Sequence, residues 1–228
     1  MAAAEQLLRM EAAQRLFRAG QPILGTPAEA YLRARGITAV DFPALRFHPS
    51  VFYRADEDAP LRRLPAMLAA ITNLDGRLVG VNRTWLDVEH CALAELDAPR
   101  KVLGVLLGHG VRFGDASDRL LAGEGIETVL SLKSVLPGLP MVAALTANHL
   151  AALLLPAGLG QLVIARDNDD AGLRAAVRLR ARAEAQGVAV DDLVPCLGDF
   201  NDDLRRLSPT ALARNVRDQL AALLPPAA

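Results

Sequence analysis

In the second half of the chain, short apolar runs alternate with longer stretches that have helical periodicity. Each run has the length of one buried strand, and each following stretch has apolar residues three or four positions apart. Strands that alternate with helices at this spacing predict a parallel sheet with right-handed crossovers. The predicted strands are 120–122, 141–145, 162–165 and 188–196, and the predicted helices are 126–136, 147–155, 172–186 and a last one that begins at Ser208 and Pro209.

The first half of the chain has a different pattern, which predicts a smaller α+β domain. Residues 4–18 repeat an apolar position every fourth residue, as in a helix with one buried face. A Thr26-Pro27 pair has the residue types of a helix start, and Gly36 ends that helix. Two further apolar runs, at 66–72 and 78–86, flank an Asp-Gly pair that is typical of a hairpin turn.

The segment 87–118 is the least regular part of the chain. Its first half is acidic and its second half is interrupted by glycines. This pattern predicts a linker with one or two short strands. The predicted domains are therefore an N-terminal α+β domain at 1–116 and an α/β domain with a C-terminal helix at 117–228.

Composition and charge narrow the function classes. Apolar residues make up 52% of the 228-residue chain, and the formal net charge is −1, so bulk charge provides no attraction to nucleic acid or to an anionic membrane. Cys91 and Cys196 lie far apart without a His partner at metal-ligand spacing, so no zinc site is expected and the cytoplasm is the expected location. Polar residues interrupt the apolar stretch 141–160, so no contact with a membrane is expected.

Candidate chemistry lies at the ends of the predicted parallel strands. Glu124 follows the first of these strands between two glycines, and Asp167 and Asp169 follow the third. Because the carboxyl ends of parallel strands lie on one edge of the sheet, we expect these carboxylates to converge. Oxygen-only ligands at a partly open site suit Mg²⁺, which retains waters and binds substrate phosphates.

An arginine occupies an unusual position in the second strand of the predicted hairpin. Alternation places Arg83 on the same face as Val79, Val81 and Trp85. Two interpretations remain open for this side chain. It makes a cross-strand ion pair or extends to the rim of the sheet, or it contacts a phosphate group.

Three acidic motifs, taken in order, resemble the Toprim domain shared by bacterial primases, topoisomerases and certain nucleases. They are GEGIET at 123–128, ARDNDDAG at 165–172 and GDFNDDL at 198–204. Earlier segments, including TPAEAYLRARGI, LRFHP and PRKVLG, resemble the region that precedes Toprim in phage- and plasmid-type primases. The resemblance implies a Rossmann-like α/β fold, in which a parallel sheet carries helices on both faces, preceded by the smaller α+β domain.

The resemblance also implies roles for individual residues. Glu124 matches the Toprim glutamate that acts as a general acid or base, and Asp167 and Asp169 match the pair that holds Mg²⁺ or Mn²⁺; all three are predicted catalytic and metal-binding residues. Four further residues match positions near the substrate in that family. They are Arg83, Lys101, Asp199 and Asp202.

The implied function is Mg²⁺-dependent nucleotidyl transfer on DNA, with primase-like primer synthesis in phage or plasmid replication as the leading hypothesis. The alternatives are a Toprim nuclease that nicks or cleaves DNA, and a non-catalytic module that binds DNA or a replication partner. A DNA template and nucleotides are the expected partners, with a helicase or a relaxase as the candidate protein partner. Two departures are visible: the zinc-binding module and the helicase of primases are not in this sequence, and Gly198 stands where the third motif often has a lysine.

Other charged residues have simpler interpretations. Asp170 and Asp203 are predicted to be helix caps or first-turn charges. Arg174, Arg178 and Arg182 are four apart and form a stripe on one predicted helix. A solvent-exposed face is the simpler interpretation of such a stripe, with a phosphate-binding track as the alternative.

Overall fold

The computed structural model describes residues 2–115 and 117–223, which form two compact units. The N-terminal unit comprises the chain up to Ala34 together with Val40–Val111. The C-terminal unit comprises Arg35–Ala39 together with the chain from Arg112 onward. The predicted boundary falls at Ala116, which lies outside the described residues, so the domain limits of 1–116 and 117–228 stay a prediction.

The N-terminal unit is built around an antiparallel sheet. The predicted hairpin is confirmed, with β3 and β4 paired from Ala66↔Trp85 onward. The two helices predicted within the first forty residues, at 4–18 and between Pro27 and Gly36, are confirmed as well. The elements are α1 (Ala2–Ala19), β1 (Gln21–Pro22), α2 (Pro27–Ala34), β2 (Leu45–Tyr53), β3 (Arg62–Thr72), β4 (Leu78–Asp87), β5 (Ala92–Leu93), β6 (Arg100–Gly104) and the first half of β7 (Gly110–Phe113), since this unit ends at Val111.

The segment predicted as a linker is instead part of this sheet. It contains three strands, β5, β6 and β7, where one or two were predicted. Strand β6 pairs with β4 over its whole length, from Thr84↔Arg100 to Gly80↔Gly104. Most β6 side chains are only partly buried, so the segment lacks the apolar alternation by which a strand is recognised in sequence.

The core of the N-terminal unit lies where α1 covers the sheet. Phe17 of α1 belongs to the same buried cluster as Tyr53, Val81 and Trp85. The Trp85 indole donates a hydrogen bond to the carbonyl of Val51 at 3.3 Å, and its ring meets Tyr53 edge to face with centroids 4.9 Å apart. This buried tryptophan therefore joins β2 to β4 by both packing and hydrogen bonding.

The C-terminal unit contains the predicted parallel sheet. Its four strands lie in the order β9-β8-β10-β11, and each neighbouring pair is parallel. This arrangement confirms the α/β fold class that was predicted from the alternation of strands and helices. The elements are β8 (Arg119–Gly123), α3 (Ile126–Val135), β9 (Met141–Ala143), α4 (Ala147–Ala151), β10 (Gln161–Ala165), α5 (Asp170–Glu184), β11 (Ala189–Leu193), α6 (Phe200–Arg206) and α7 (Pro209–Leu223).

One helix of the C-terminal unit is shorter than predicted. The apolar run 147–155 was expected to be helical throughout, but α4 ends at Ala151. The Arg182 guanidinium, from α5, donates to the carbonyls of Ala151 and Leu153, both at 2.9 Å. These bonds satisfy carbonyls at the end of the helix, while Leu153 and Leu155 remain buried in the core without helical structure.

The strand order places a crevice at the end of β8. From β8 the chain crosses to β9 on one side, whereas β10 pairs with β8 on the other side. In open α/β sheets, ligands bind beside such a switch point, at the carboxyl ends of the strands. None of the described helices is long and apolar enough to cross a membrane.

A buried carboxylate shapes the loop between β11 and α6. Asp203 is fully buried and accepts hydrogen bonds from the backbone N–H groups of Cys196 and Leu197, both at 2.8 Å. Asp203 lies in the first turn of α6, as predicted, but its side chain points back into the preceding loop and is not exposed. The N-cap of α6 is Asp199 instead.

We expect Asp203→Ala to lower the free energy of unfolding by about 2–4 kcal/mol, because two backbone N–H groups lose the buried carboxylate that accepts their hydrogen bonds. The measurement is the unfolding midpoint in urea. The matched control is Asp202→Asn in the same helix, where the side chain is partly exposed and pairs with Arg206 at 3.9 Å. Exposed pairs contribute roughly 0–1 kcal/mol, so equal losses in the two variants would contradict the assigned role of Asp203.

Candidate active site

Glu124 lies directly after β8, in a turn where both its side chain and its carbonyl accept hydrogen bonds. Its carboxylate accepts a hydrogen bond from the backbone N–H of Ala147, at the start of α4. Its carbonyl accepts from the N–H of Leu145 at 2.7 Å, and Leu145 has a φ of 76°, which is unfavourable for a branched side chain. Backbone strain of this kind is concentrated at functional sites.

Asp167 lies after β10, the strand next to β8. Its side chain is partly buried, and its Oδ1 has no hydrogen-bond partner among the described residues. The pKa of Asp167 is raised from 3.8 to about 7, with burial as the largest cause and the charges of Glu124, Asp199 and Asp169 as the others. The structure thus brings four of the predicted acidic residues close enough to interact electrostatically.

Asp169 and Asp199 are each fixed by the helix that follows them. Asp169 is the N-cap of α5 and accepts from the N–H of Gly172 at 2.6 Å. Asp199 is the N-cap of α6 and accepts from the N–H of Asp202 at the same distance. Each cap occupies Oδ1 and orients the whole carboxylate, so its second oxygen has a defined direction.

A backbone hydrogen bond connects the two acidic turns. The N–H of Asn168 donates to the carbonyl of Gly198 at 2.9 Å. It joins the turn that contains Asp167 and Asp169 to the turn that contains Asp199. The carboxylates therefore remain together although their charges repel one another.

The pKa of Glu124 is also raised. Burial is the largest cause and the charge of Asp169 adds to it, while the hydrogen bond from Ala147 acts in the opposite direction. A carboxylate with a raised pKa holds or accepts a proton closer to neutral pH than an exposed glutamate does. Glu124 is thus suited to proton transfer as well as to cation binding.

The donor set fits a hard divalent cation. All four acidic side chains offer oxygen, which Mg²⁺ and Mn²⁺ prefer, and Asp167 Oδ1 lacks the partner that a buried oxygen requires. In the described part of the chain, no group of three or more His, Cys, Asp or Glu side chains is close enough to hold a metal ion as it stands. A cation would therefore be held by Asp167, Asp169 and Glu124 only after these carboxylates turn towards it.

Asp202, which was predicted together with Asp199, has a different environment. Its carboxylate lies 3.9 Å from Arg206 Nε, one turn further along α6. It is not among the groups that raise the pKa of Asp167. Of the two residues, Asp199 is the one whose charge acts on Asp167.

Arg83 and Lys101 belong to the N-terminal unit, where they are directly opposite one another on β4 and β6. Opposed residues of an antiparallel pair share a face, so the cross-strand neighbour of Arg83 is a cation and not an acid. The ion-pair interpretation of Arg83 therefore does not hold on this side of the strand. Burial and the charge of Arg9 lower the pKa of Arg83, whose guanidinium lies 5.0 Å from the centre of the Trp85 ring.

The two cations keep hydrogen-bond donors available. Arg83 Nη2 makes one long contact, 3.5 Å, to the carbonyl of Val102, and its buried Nε has no partner among the described residues. Lys101 Nζ donates to the carbonyls of Arg54 and Ala55, at 2.6 and 2.7 Å. An ammonium has three donors, so these two bonds leave one for a ligand.

Sequence reasoning did not identify Gly172 as a site residue. A Cβ at this position would lie 2.5 Å from the carbonyl oxygen of Asp167, so α5 can approach the acidic turn only through a glycine. The signal was present in the sequence, because a glycine three positions after the N-cap Asp169 lies in the first turn of a helix, where glycine is unfavourable. The close packing of α5 against the Asp167 turn accounts for a glycine at this position.

The comparisons with protein families identify the C-terminal unit. Residues 119–209 match the Toprim domain family, and residues 8–113 match a family described as a domain of unknown function, DUF7146. The C-terminal unit is therefore a Toprim domain, as the three acidic motifs predicted. No curated protein sequence matches it.

Solved structures with a similar fold are primases. The primase fragment of the bacteriophage T7 primase-helicase protein is 16% identical, with coverage of 82% of this chain and 72% of that one and a TM-score of 0.53. The Aquifex aeolicus primase, solved as its zinc-binding and RNA polymerase domains, is 17% identical, with a TM-score of 0.59; the match covers 92% of this chain and only 60% of that one.

The third similar structure is the RNA polymerase domain of Mycobacterium tuberculosis primase DnaG. It is 21% identical, with coverage of 96% of this chain and 83% of that one and a TM-score of 0.57. The same domain has been solved in complex with a double-stranded DNA oligomer that has a 6-nucleotide overhang. At these identities the likeness establishes the primase-type fold.

We expect Gly172→Ala to displace the Asp167 turn, because the added methyl group would collide with the backbone. The expected cost is about 1–3 kcal/mol of unfolding free energy, together with weaker Mn²⁺ binding. Urea unfolding and Mn²⁺ titration by calorimetry measure the two effects. Gly138→Ala is the control, since no atom lies within 4 Å of the methyl group that this substitution would add; if both variants bind Mn²⁺ like the wild type, the assigned role of Gly172 is wrong.

We expect the stability of the metal-free protein to fall as the pH rises from about 4 to about 7. The folded protein retains the Asp167 proton up to about pH 7, whereas the unfolded chain loses it near 3.8, so the native state binds more protons in this window. Asp167→Asn removes this dependence and should melt higher than the wild type above pH 7, with each kcal/mol worth roughly 2–4 °C.

The measurement is the melting temperature in a chelator across this pH range, with and without Mg²⁺. Added Mg²⁺ should stabilise the wild type more at about pH 8 than at about pH 6, because the cation competes with the proton. It should have little effect on Asp167→Asn. Parallel pH profiles for the two proteins would show that Asp167 does not carry the raised pKa.

Proposed function

We propose that this protein is a divalent-cation-dependent nucleotidyltransferase that synthesises primers on a DNA template. The observation that carries the proposal is the partly buried Asp167 carboxylate, whose Oδ1 has no partner among the described residues and whose neighbours are Glu124, Asp169 and Asp199. Such a cluster attracts a divalent cation, and the Toprim family match directs the interpretation towards phosphoryl chemistry.

Each carboxylate has a role that follows from its environment. Asp167 and Asp169 would hold the cation, because one has an unsatisfied oxygen and the other is oriented by its cap to Gly172. Glu124 accepts the proton of the attacking hydroxyl, since burial and Asp169 raise its pKa. A bound Mg²⁺ or Mn²⁺ polarises a phosphoryl oxygen and lowers the pKa of that hydroxyl.

Asp199 has a supporting role in this proposal. Its charge acts on Asp167, and its own carboxylate is fixed at the start of α6. It would hold a second cation or a water molecule of the first. Asp202, with its ion pair to Arg206, contributes to the surface beside the site and not to the cation.

In the N-terminal unit, Arg83 and Lys101 form an anion-binding face. Like charges directly opposite one another destabilise a sheet, so an anionic ligand would stabilise this pair. Nucleotide phosphates have the required charge, and a guanidinium binds them in two-point geometry. The DNA complex of the M. tuberculosis domain is consistent with a nucleic-acid ligand for this fold.

The test is primer synthesis on a single-stranded template with labelled ribonucleotides and Mg²⁺. We expect the wild type to produce short oligonucleotides, and Glu124→Gln and Asp167→Asn to lower the rate by about 10²–10⁴. The control is Asp170→Asn, since Asp170 is an exposed residue of the first turn of α5 that is not among the groups acting on the pKa of Asp167.

A parallel incubation with supercoiled plasmid separates the alternatives. Nicking that is lost in Asp167→Asn, without primer synthesis, would replace the proposal by a nuclease that uses the same carboxylates. DNA binding with neither product, unchanged by Glu124→Gln and Asp167→Asn, would indicate a non-catalytic module. Addition of a helicase or a relaxase to the reaction tests whether the activity requires a partner.

A further inference from the structure

Besides the acidic cluster, the C-terminal unit contains a basic cleft between α4 and α5. It has a volume of about 120 Å³. We call it the α4–α5 cleft and define it by its lining residues, which are Ala147, Asn148, Ala151, Ala171, Arg174, Ala175 and Arg178. Four of the lining residues are alanines, whose small side chains leave room between the two helices. The polar groups of the cleft are two guanidinium groups and one amide.

The arginines of α5 have divided roles. Arg182 donates to two carbonyls at the end of α4, and Arg180 donates to the carbonyl of Val190 at 2.7 Å and pairs with Asp192 at 2.9 Å. These two side chains are therefore part of the framework. Arg174 and Arg178 are exposed and line the cleft instead. The predicted stripe is thus not a uniform solvated face.

The cleft adjoins the candidate active site. Ala147 lines it, and the backbone N–H of the same residue donates to the Glu124 carboxylate. Ala171 lines it from the first turn of α5, two residues after Asp169. The cleft and the acidic site are therefore neighbours at the starts of α4 and α5.

The surface beside the arginines has apolar side chains. Leu173 is 45% exposed and Val177 is 58% exposed, each adjacent in sequence to one of the arginines. These two residues are four positions apart and form an exposed apolar stripe next to the arginine stripe on α5. A polynucleotide strand has both features that this surface requires, namely anionic phosphates for Arg174 and Arg178 and apolar sugar faces for Leu173 and Val177.

We propose that the α4–α5 cleft binds the phosphate backbone of a single strand of nucleic acid as it leads into the acidic site. Arg174 and Arg178 contact successive phosphates, and Asn148 donates from the opposite wall. This inference rests on the proposed function, because it names the path of the substrate at the same site. The test measures nucleic-acid binding in the absence of a divalent cation. Its outcome is therefore independent of whether the protein is catalytically active.

The experiment measures binding of a fluorescent single-stranded oligonucleotide by anisotropy in a chelator, in the Glu124→Gln background. We expect Arg174→Gln with Arg178→Gln to weaken binding by at least about tenfold at low salt. The slope of log affinity against log salt should decrease by about 1.4, since each lost phosphate contact on a single strand contributes roughly 0.7.

The matched control is Arg214→Gln with Arg217→Gln, which removes two exposed arginines from α7 of the same unit. It changes the net charge equally and should leave the affinity within about twofold. Equal losses in the two double variants would overturn the proposal, because bulk charge would then account for binding. Melting temperatures of both variants establish that the unit remains folded.

A second arm uses a nucleoside triphosphate as the probe. If the Arg174/Arg178 variant loses triphosphate binding but retains strand binding, the cleft holds the incoming nucleotide and the proposal is overturned. Unchanged strand binding would likewise overturn it and would assign the cleft to another ligand, such as an acidic protein surface. Loss of strand binding with retained triphosphate binding supports it, whether or not the protein makes primers.

Discussion

Mutual repulsion between carboxylates is the interaction on which the C-terminal unit depends. Asp167 is partly buried, three acidic neighbours raise its pKa in addition to burial, and its Oδ1 has no hydrogen-bond partner among the described residues. The nearest cation in sequence, Arg166, donates to the main-chain oxygen of Asp167 at 3.4 Å. Acidic groups with raised pKa values of this kind are concentrated at functional sites.

The backbone holds the cluster together against that repulsion. Parallel pairing of β8 with β10 fixes the starting points of both acidic turns, and the Asn168–Gly198 hydrogen bond joins the turn after β10 to the one after β11. The caps at Asp169 and Asp199 then orient two carboxylates with bonds of 2.6 Å each. Helix capping and the proposed cation binding therefore use the same side chain at Asp169, which explains why a cap and a ligand look alike in sequence.

The N-terminal unit has a local excess of positive charge. Arg83 and Lys101 are opposed across β4 and β6, with Arg9 adding to the positive charge around Arg83. Each unit thus has a local excess of one sign of charge, positive at Arg83 and Lys101 and negative at the acidic strand ends.

The sequence by itself determined the α/β alternation, the hairpin and the acidic positions at strand ends, because apolar periodicity and turn residues are local properties. Only the tertiary structure decided which acids meet: Asp199 joins Asp167, whereas Asp202, three residues later, pairs with Arg206. It also decided that β6 completes a sheet and that α4 ends at Ala151, where Arg182 is bound. Strand register, and contacts between residues as far apart in sequence as Arg182 and Ala151, depend on how distant segments pack together. A local sequence pattern contains no information about that packing.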